Sequence, residues 1–306
     1  MIITLTPNPA LDLTYRLDAL QFGESHRTAP ALERAGGKGL NVARILHGEG
    51  QPVRAIAPLG GRRGLAIYDL LSAAGIDTDV VPIAAETRRT IAIVTDDDTT
   101  NINEEGPALS SSEWGALESV ITGALPGARV LVCSGSLPQG TPGDFIPKLI
   151  SACKAVGVRT IVDAAGEALL AACAAGADVV KPNVSELLNA TNIADPREAA
   201  EHLLNLGAKC VVASLGEKGM VLFTAGHSPL AGRLPEPLVG NTTGAGDAAV
   251  AAIAKHFAES DSPDAVAMLK DAVAWSAGAV LAEVAGEIVH DAQLTEKIIL
   301  NQLESH

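Results

Sequence analysis

Short apolar runs alternate with longer stretches of helical spacing along most of this chain. Ile2–Leu5, Val53–Ala57, Val130–Cys133, Thr160–Val162, Asp178–Val180 and Cys210–Ala213 are brief and rich in Val, Ile or Leu. Runs of that kind suit strands covered on both faces. Between them, Leu40–Leu46, Gly64–Ala74, Ser112–Ile121, Gly143–Ala155, Glu167–Ala175 and Arg197–Leu206 carry helix-like patterns. The alternation predicts an α/β fold, a doubly wound and mostly parallel sheet with helices on both faces. Two segments, 11–35 and 86–106, instead alternate polar and apolar residues, as in Thr90-Ile91-Ala92-Ile93-Val94-Thr95. That pattern fits antiparallel strands with one solvated face, so the two predict a small sheet beside the main one. Asp96-Asp97-Asp98 reads as the solvated turn of a hairpin within it, not a metal site, because three adjacent carboxylates do not converge easily.

A length of 306 residues fits one large α/β domain or two modest ones. With 47% hydrophobic and 19% charged residues, disorder is excluded except at the ends. A net charge of -14 makes non-specific binding to nucleic-acid backbones a poor reading, and 3% aromatic residues leave too few rings for stacking platforms. Any anionic ligand must then be caught by local cations or helix ends. There is no signal-peptide pattern and no run long enough to span a bilayer. Cys133, Cys153, Cys173 and Cys210 form no CxxC pair and have no zinc spacing, so reduced buried thiols in a cytoplasmic protein are expected.

The strongest local feature is Gly240-Asn241-Thr242-Thr243-Gly244-Ala245-Gly246-Asp247, where a glycine-rich turn opens into a helix carrying Val250, Ile253, Ala254 and Phe257. Small residues let backbone N–H groups approach an anion, and the helix dipole favours negative charge there. Asp247 at that end is either a cap and dipole partner or a base poised where negative charge develops. There is no Walker loop, and Gly36-Gly37-Lys38-Gly39 does not extend to G-x-G-x-x-G. Any nucleotide site is therefore of another type.

Taken together, these residues resemble the ribokinase-like (pfkB) family of carbohydrate kinases over nearly the whole chain. The likeness rests on Gly36-Gly37-Lys38-Gly39-Leu40-Asn41-Val42-Ala43 and Asn241-Thr242-Thr243-Gly244-Ala245-Gly246-Asp247. Ser134-Gly135-Ser136-Leu137-Pro138, Lys181-Pro182-Asn183-Val184-Ser185-Glu186 and Ser214-Leu215-Gly216-Glu217-Lys218-Gly219 lie between them in the expected order. Thr6-Pro7-Asn8-Pro9-Ala10-Leu11-Asp12 and Glu86-Thr87-Arg88 are similar to the hexose-phosphate branch, 1-phosphofructokinases and tagatose-6-phosphate kinases. The resemblance implies one ribokinase-like kinase domain over 1–306, with the segments near 11–35 and 86–106 forming a lid. It implies transfer of the ATP γ-phosphate to a hydroxyl of a phosphorylated ketohexose, fructose 1-phosphate first among them. Asp247 would be the catalytic base, with Gly244, Ala245 and Gly246 as the anion hole. Lys181, Asn183, Ser214, Gly216, Gly219 and Thr243 would bind ATP, and Glu186 would organise Mg²⁺, through water. Asn183 and Glu186, spaced i and i+3, share one face of a helix start, where Glu186 is equally a capping residue.

For the sugar, the resemblance nominates Asp12, Gly36, Gly37, Lys38, Asn41, Arg88, Arg27 and Ser136. Arg88 and Arg27 are candidate phosphate clamps, because a guanidinium can bind phosphate through two parallel N–H bonds. Each is equally readable as a solvated lid charge, and Ser136 as a turn residue. Two departures bear on the sugar: Thr90 stands where many phosphofructokinases have Asn, as in tagatose-6-phosphate kinases, and Ala165 precedes Gly166 where Ser is common. Two lids clasping in a homodimer would cover the exposed strand edges. The competing classes are a kinase of an unphosphorylated sugar or nucleoside, against which Arg88 speaks, and a non-catalytic binding relative, against which Asp247 speaks.

Overall fold

The computed structural model describes residues 1–95, 98–238 and 240–303. Its strands are β1 (Ile2–Leu5), β2 (Ala10–Arg16), β3 (Leu32–Gly36), β4 (Val53–Leu59), β5 (Asp77–Pro82), β6 (Arg88–Val94) and β7 (Thr99–Asn103). They continue with β8 (Val130–Ser134), β9 (Arg159–Asp163), β10 (Val179–Val180), β11 (Cys210–Ser214), β12 (Met220–Thr224), β13 (Leu230–Arg233) and β14 (Ile299–Gln302). Ten of them form one sheet in the order β14-β13-β12-β11-β10-β9-β8-β1-β4-β5. From β11 to β5 every neighbour is parallel, while β12, β13 and β14 extend the sheet antiparallel. This is the mostly parallel, helix-flanked sheet that the apolar runs predict.

The central strand shows why those runs lack polar alternation. Ile2 packs into a core shared with Leu40, Val42 and the helix Ala245–Glu259, whereas Ile3 and Leu5 pack on the other face with Trp114 and Phe145. Both faces are covered, so Ile2, Ile3 and Leu5 show no polar alternation, and the polar member of the strand, Thr4, is itself fully buried. In the helix Ala245–Glu259 the residues from Asp247 to Ala254 are all buried. Their small side chains let it wedge between the helices Lys38–Gly48 and Ala265–Leu281. All four cysteines are buried and unpaired. Among the described residues no helix is long and apolar enough to cross a membrane.

The second sheet runs β3-β2-β6-β7. Its outer pairs are antiparallel, but the central pair, β2 with β6, is parallel, contrary to the expectation of a wholly antiparallel sheet. The physical reason is the connection: the chain leaves β3 for β4 and β5 of the main sheet and returns to β6 travelling in the direction of β2. Thr95 N–H donates to the Asp98 carbonyl at 2.8 Å between β6 and β7, and Asp96 and Asp97 of the expected acidic turn lie outside the described residues. Register sorts the faces. Arg34, Asp12, Thr90 and Asn103 stand in one cross-strand row, and Glu33, Leu13, Ile91 and Ile102 in the next, on the opposite face. The polar row faces the main sheet's cleft; the other presents Ile102, 53% exposed.

Candidate active site

The parallel strands end together, and their carboxyl ends carry the polar residues. β8 ends in Ser134, β9 in Asp163 and β11 in Ser214, and β10 is followed by Lys181. A cleft of about 760 Å³ opens above these ends and under the small sheet, the usual place for a ligand on an open α/β sheet.

Asp247 sits at its floor. The helix Ala245–Glu259 starts after Gly244, whose φ of 86° is a left-handed conformation that a side chain would strain. A Cβ there would also lie 3.1 Å from Ala285. Ala245 and Gly246, in the first turn, line the cleft; the Ala245 N–H donates to the Thr242 carbonyl at 3.3 Å, and the first-turn N–H groups have no intrahelical acceptor. The Asp247 carboxyl is 5% exposed and accepts a hydrogen bond from Asn41 Nδ2 at 2.8 Å. Burial, reinforced by the neighbouring Asp163 carboxylate, pushes its pKa up to about 7, against the pull of Asn41, Lys38 and Lys181. A carboxyl so tuned exchanges a proton near neutral pH.

Around it lies a charge network. Lys38 Nζ stands 3.3 Å from Glu186 Oε1 and 3.4 Å from each Asp163 oxygen. Burial works against this ammonium, yet Asp163, Glu186 and Asp247 hold its pKa above the ordinary value. Asp163 is itself opposed by burial, but Lys181, Lys38 and the Ser134 hydroxyl, which donates at 3.0 Å, keep it below the usual carboxylate range. Lys181 is buried beneath the Gly244–Gly246 turn, 3.3 Å from where a Cβ on Gly246 would sit. Asn183 caps the helix Val184–Thr191: its Oδ1 accepts from Glu186 N–H at 2.8 Å, and Glu186 Oε2 accepts from Asn183 N–H at 2.9 Å. The capping and the cleft-facing readings of Glu186 thus coexist, one oxygen serving each.

The small sheet supplies the roof. Thr90 Oγ1 donates to Asp12 Oδ1 at 2.5 Å. Burial raises the Asp12 pKa, opposed by Thr90, Arg88 and Arg44. Arg88 lines the cleft, but it is not a free clamp. Its Nε and Nη2 donate to the Asn8 carbonyl at 3.2 and 3.1 Å, and Nη1 donates to the Glu104 carbonyl at 3.1 Å. Three of its five N–H groups thus tie the roof to the Thr6–Pro9 loop, and two have no partner among these bonds.

Most of the residues nominated from the sequence line this one cleft: Asp12, Gly37, Lys38, Asn41, Arg88, Lys181, Asn183, Glu186, Ser214, Gly216, Gly219, Thr243, Gly244, Ala245, Gly246 and Asp247. Gly36, Arg27 and Ser136 are not in its lining. Gly36 lies against the Asp12 carboxyl, which occupies the space a Cβ would need. Arg27 is exposed in the connection between β2 and β3. The exposed Ser136 accepts from Asn8 Nδ2 at 3.1 Å and works as a loop tie. Asn41, nominated for the sugar, spends its amide on Asp247. The cleft also contains Asp163, Thr90, Asn101 and Asn103, which the sequence reading did not nominate. Asn101 and Asn103 do carry a signal, since they alternate on one face of the strand sequence Thr-Thr-Asn-Ile-Asn.

The model of the pfkB family of carbohydrate kinases matches residues 5–291. A tetrameric inhibited form of phosphofructokinase-2 from Escherichia coli is 33% identical, superposes with a TM-score of 0.84, and the match covers 92% of this chain and 94% of that one. A possible 1-phosphofructokinase from Thermotoga maritima is 23% identical at a TM-score of 0.89, over 99% of both chains. Ribokinase from Arabidopsis thaliana, solved with ribose and ATP, is 22% identical at a TM-score of 0.71, over 97% of both; these last two likenesses show the fold. The chain belongs to the pfkB family of carbohydrate kinases, phosphotransferases that carry phosphate from ATP to a sugar hydroxyl.

Proposed function

We propose that this protein phosphorylates a phosphorylated ketohexose, with Asp247 as the base, and that its preferred substrate is fructose 1-phosphate, giving fructose 1,6-bisphosphate. The observation that carries the reading is the placement of Asp247, tuned to titrate near neutrality, in the same cleft as the Arg88 guanidinium. ATP lies along Ser214, Gly216, Gly219 and Thr243, with its phosphates toward Lys181 and Asn183. The sugar lies beneath the roof, its hydroxyls on Asp12 and the floor at Gly37 and Lys38. Phosphoryl transfer asks the protein for in-line placement and charge neutralisation. The acceptor oxygen forms its bond to the γ-phosphorus as the bond to ADP breaks, and Asp247 takes the hydroxyl proton. The N–H groups of Ala245 and Gly246 are fixed donors for the transferring phosphoryl oxygens.

The donor set fits magnesium carried by the nucleotide. Among the described residues no three His, Cys, Asp or Glu side chains could hold an ion by themselves. Mg²⁺ needs only one or two carboxylates beside the substrate phosphates and keeps several waters. Glu186, with Oε1 toward Lys38 in the cleft, is the residue to hold it through water, and the ion's charge would offset that of the phosphates.

A second reading, fructose 6-phosphate as substrate, is favoured by the one-third identity to phosphofructokinase-2, which has been solved with fructose-6-phosphate. ADP release measured with fructose 1-phosphate, fructose 6-phosphate, tagatose 6-phosphate, ribose and adenosine tests both. We expect the highest kcat/KM on fructose 1-phosphate. A preference for ribose or adenosine would overturn the sugar-phosphate reading.

Arg88→Ala should raise KM for the sugar phosphate about ten- to a hundredfold, the worth of a charge-assisted bond, and leave KM for ATP nearly unchanged. Arg88→Lys should recover only part, since an ammonium lacks the planar fork. Since Arg88 also ties down the roof, unphosphorylated fructose is the control. An equal loss of kcat/KM on fructose would assign Arg88 to roof placement alone.

The outer face of the small sheet, with Leu13, Ile91 and Ile102 in register and Ile102 exposed, suits a homodimer in which two lids clasp. Light scattering at micromolar concentration should give twice the chain mass. A fully active monomer would rule the dimer out.

A further inference from the structure

The Asn41–Asp247 hydrogen bond raises a question of orientation. The two ends of an asparagine amide are nearly the same size, and only the NH₂ end can donate to a carboxylate. Flipped, Asn41 would set its oxygen against Asp247. Something must demand the oxygen elsewhere, and Arg44, one helical turn on, does so. Its Nη1 donates to Asn41 Oδ1 at 3.3 Å. A guanidinium offers donors only, so it accepts one orientation of that amide and refuses the other.

Arg44 has two further attachments. Nη1 also donates to the Ala285 carbonyl at 3.2 Å, and Nη2 donates to the Ala35 carbonyl. Ala35 is in lid strand β3, next to Gly36. Ala285 belongs to the turn that packs on Gly244, and a Cβ at Gly286 would collide with the guanidinium. A parallel tie runs outside it, from Arg34 of β3 to Glu287 at 2.7 Å.

We propose that Arg44 is a positioning residue: it fixes the Asn41 amide with its NH₂ toward Asp247, and it links that orientation to the lid strand and to the turn beneath the anion hole. The inference rests on Asp247 being the base. The groups around Asp247 are Asp163 on β9, Lys38 on the Asn41 helix and Lys181 after β10. Those around Arg44 are Arg34, Asp12 and Glu287. None of these groups hydrogen-bonds the Asn41 oxygen; Arg44 does.

The test compares Arg44→Gln, Arg44→Lys, Asn41→Leu and Asp247→Asn in the full chain, reading kcat, both KM values, the pH profile of kcat and the melting temperature. Glutamine can accept as well as donate, so Arg44→Gln no longer dictates the amide orientation. It should lower kcat about ten- to a hundredfold, the worth of a hydrogen bond to a charged group. The acid limb of the kcat profile should move up by about one unit, as Asp247 loses a donor, with both KM values changed less than about threefold. Arg44→Lys, still donor-only, should recover part of both effects. Asn41→Leu should reproduce them, and Arg44→Gln should cost less kcat when added to Asn41→Leu than it does alone, because only its ties to Ala35 and Ala285 are then left to lose. A folded Arg44→Gln with wild-type kcat and an unmoved acid limb overturns the proposal. So does an unmoved acid limb in Asn41→Leu, whether or not the Arg44 variants fold. Activity that survives Asp247→Asn overturns the base assignment instead, which separates the two failures.

Discussion

Asp247→Asn should lose about 10²- to 10⁴-fold in kcat, the usual contribution of a positioned base, while KM for ATP and for the sugar change little. The side chain keeps its size, and its amide oxygen can still accept from Asn41, so the anion-hole turn has no steric reason to move. In the unchanged enzyme, kcat/KM should rise with pH through about 7, as the Asp247 carboxyl, raised by burial and by Asp163, gives up its proton. The same shift has a consequence for stability. The folded state holds this proton more tightly than the unfolded chain does, so the native protein loses stability as pH rises from about 4 to about 7. Asparagine escapes that loss. The melting temperature of Asp247→Asn should therefore gain on the native protein through that window and hold its advantage above it. The full difference is on the order of a few kcal/mol. A variant that is slow yet more heat-resistant at pH 8 than the native enzyme would carry both halves of the argument. One retaining more than a tenth of kcat would refute the assignment of the base.

Gly36→Ala should be nearly as damaging, through a different mechanism. The Asp12 carboxyl occupies the space a Cβ would take at Gly36. It has little freedom to retreat, being half-buried on the cleft face of β2 and held by Thr90 at 2.5 Å. One methyl group therefore displaces the carboxylate that we propose receives the sugar hydroxyls. Loss of charge-assisted bonds of about 1.5–3 kcal/mol should lower kcat/KM for the sugar about ten- to a hundredfold or more, with ATP binding intact. Thr90→Val, which removes the hydroxyl and keeps the shape, should show a smaller loss in the same direction. Equal kcat/KM in Gly36→Ala and the native enzyme would mean that Asp12 does not touch the sugar.

How much of this was legible in the chain depended on how local each feature is. The strand Ile2–Leu5 was visible because both its faces are covered, which leaves three of its four positions apolar. The anion-hole turn and the helix after it were visible because Gly244 and the run of small residues behind it are consecutive. The capping box of Asn183 and Glu186 was visible as spacing, although spacing did not show that one carboxylate would serve both the cap and the cleft. What the chain alone left open is set by contacts between distant residues. Asn41 and Asp247 are 206 positions apart, and nothing near either predicts that the Asn41 amide donates to the Asp247 carboxyl. Arg88 stood out as a charge in a lid strand; only the packed molecule brings Asn8 and Glu104 to it. The parallel pairing of β2 with β6 depends on where the chain travels in between.

By itself the sequence determined the parallel centre of the sheet, from β4 to β11, its flanking helices and the family, because binary patterning and consecutive glycines act over a few residues, whereas β5 and the antiparallel β12–β14 came only with the structure. The tertiary structure decided which polar groups meet: Asp163 beside Asp247, Thr90 on Asp12, Arg44 on Asn41. Those meetings arise where strand ends, loops and the small sheet converge, and pKa values and amide orientations follow from who the neighbours are once water is excluded.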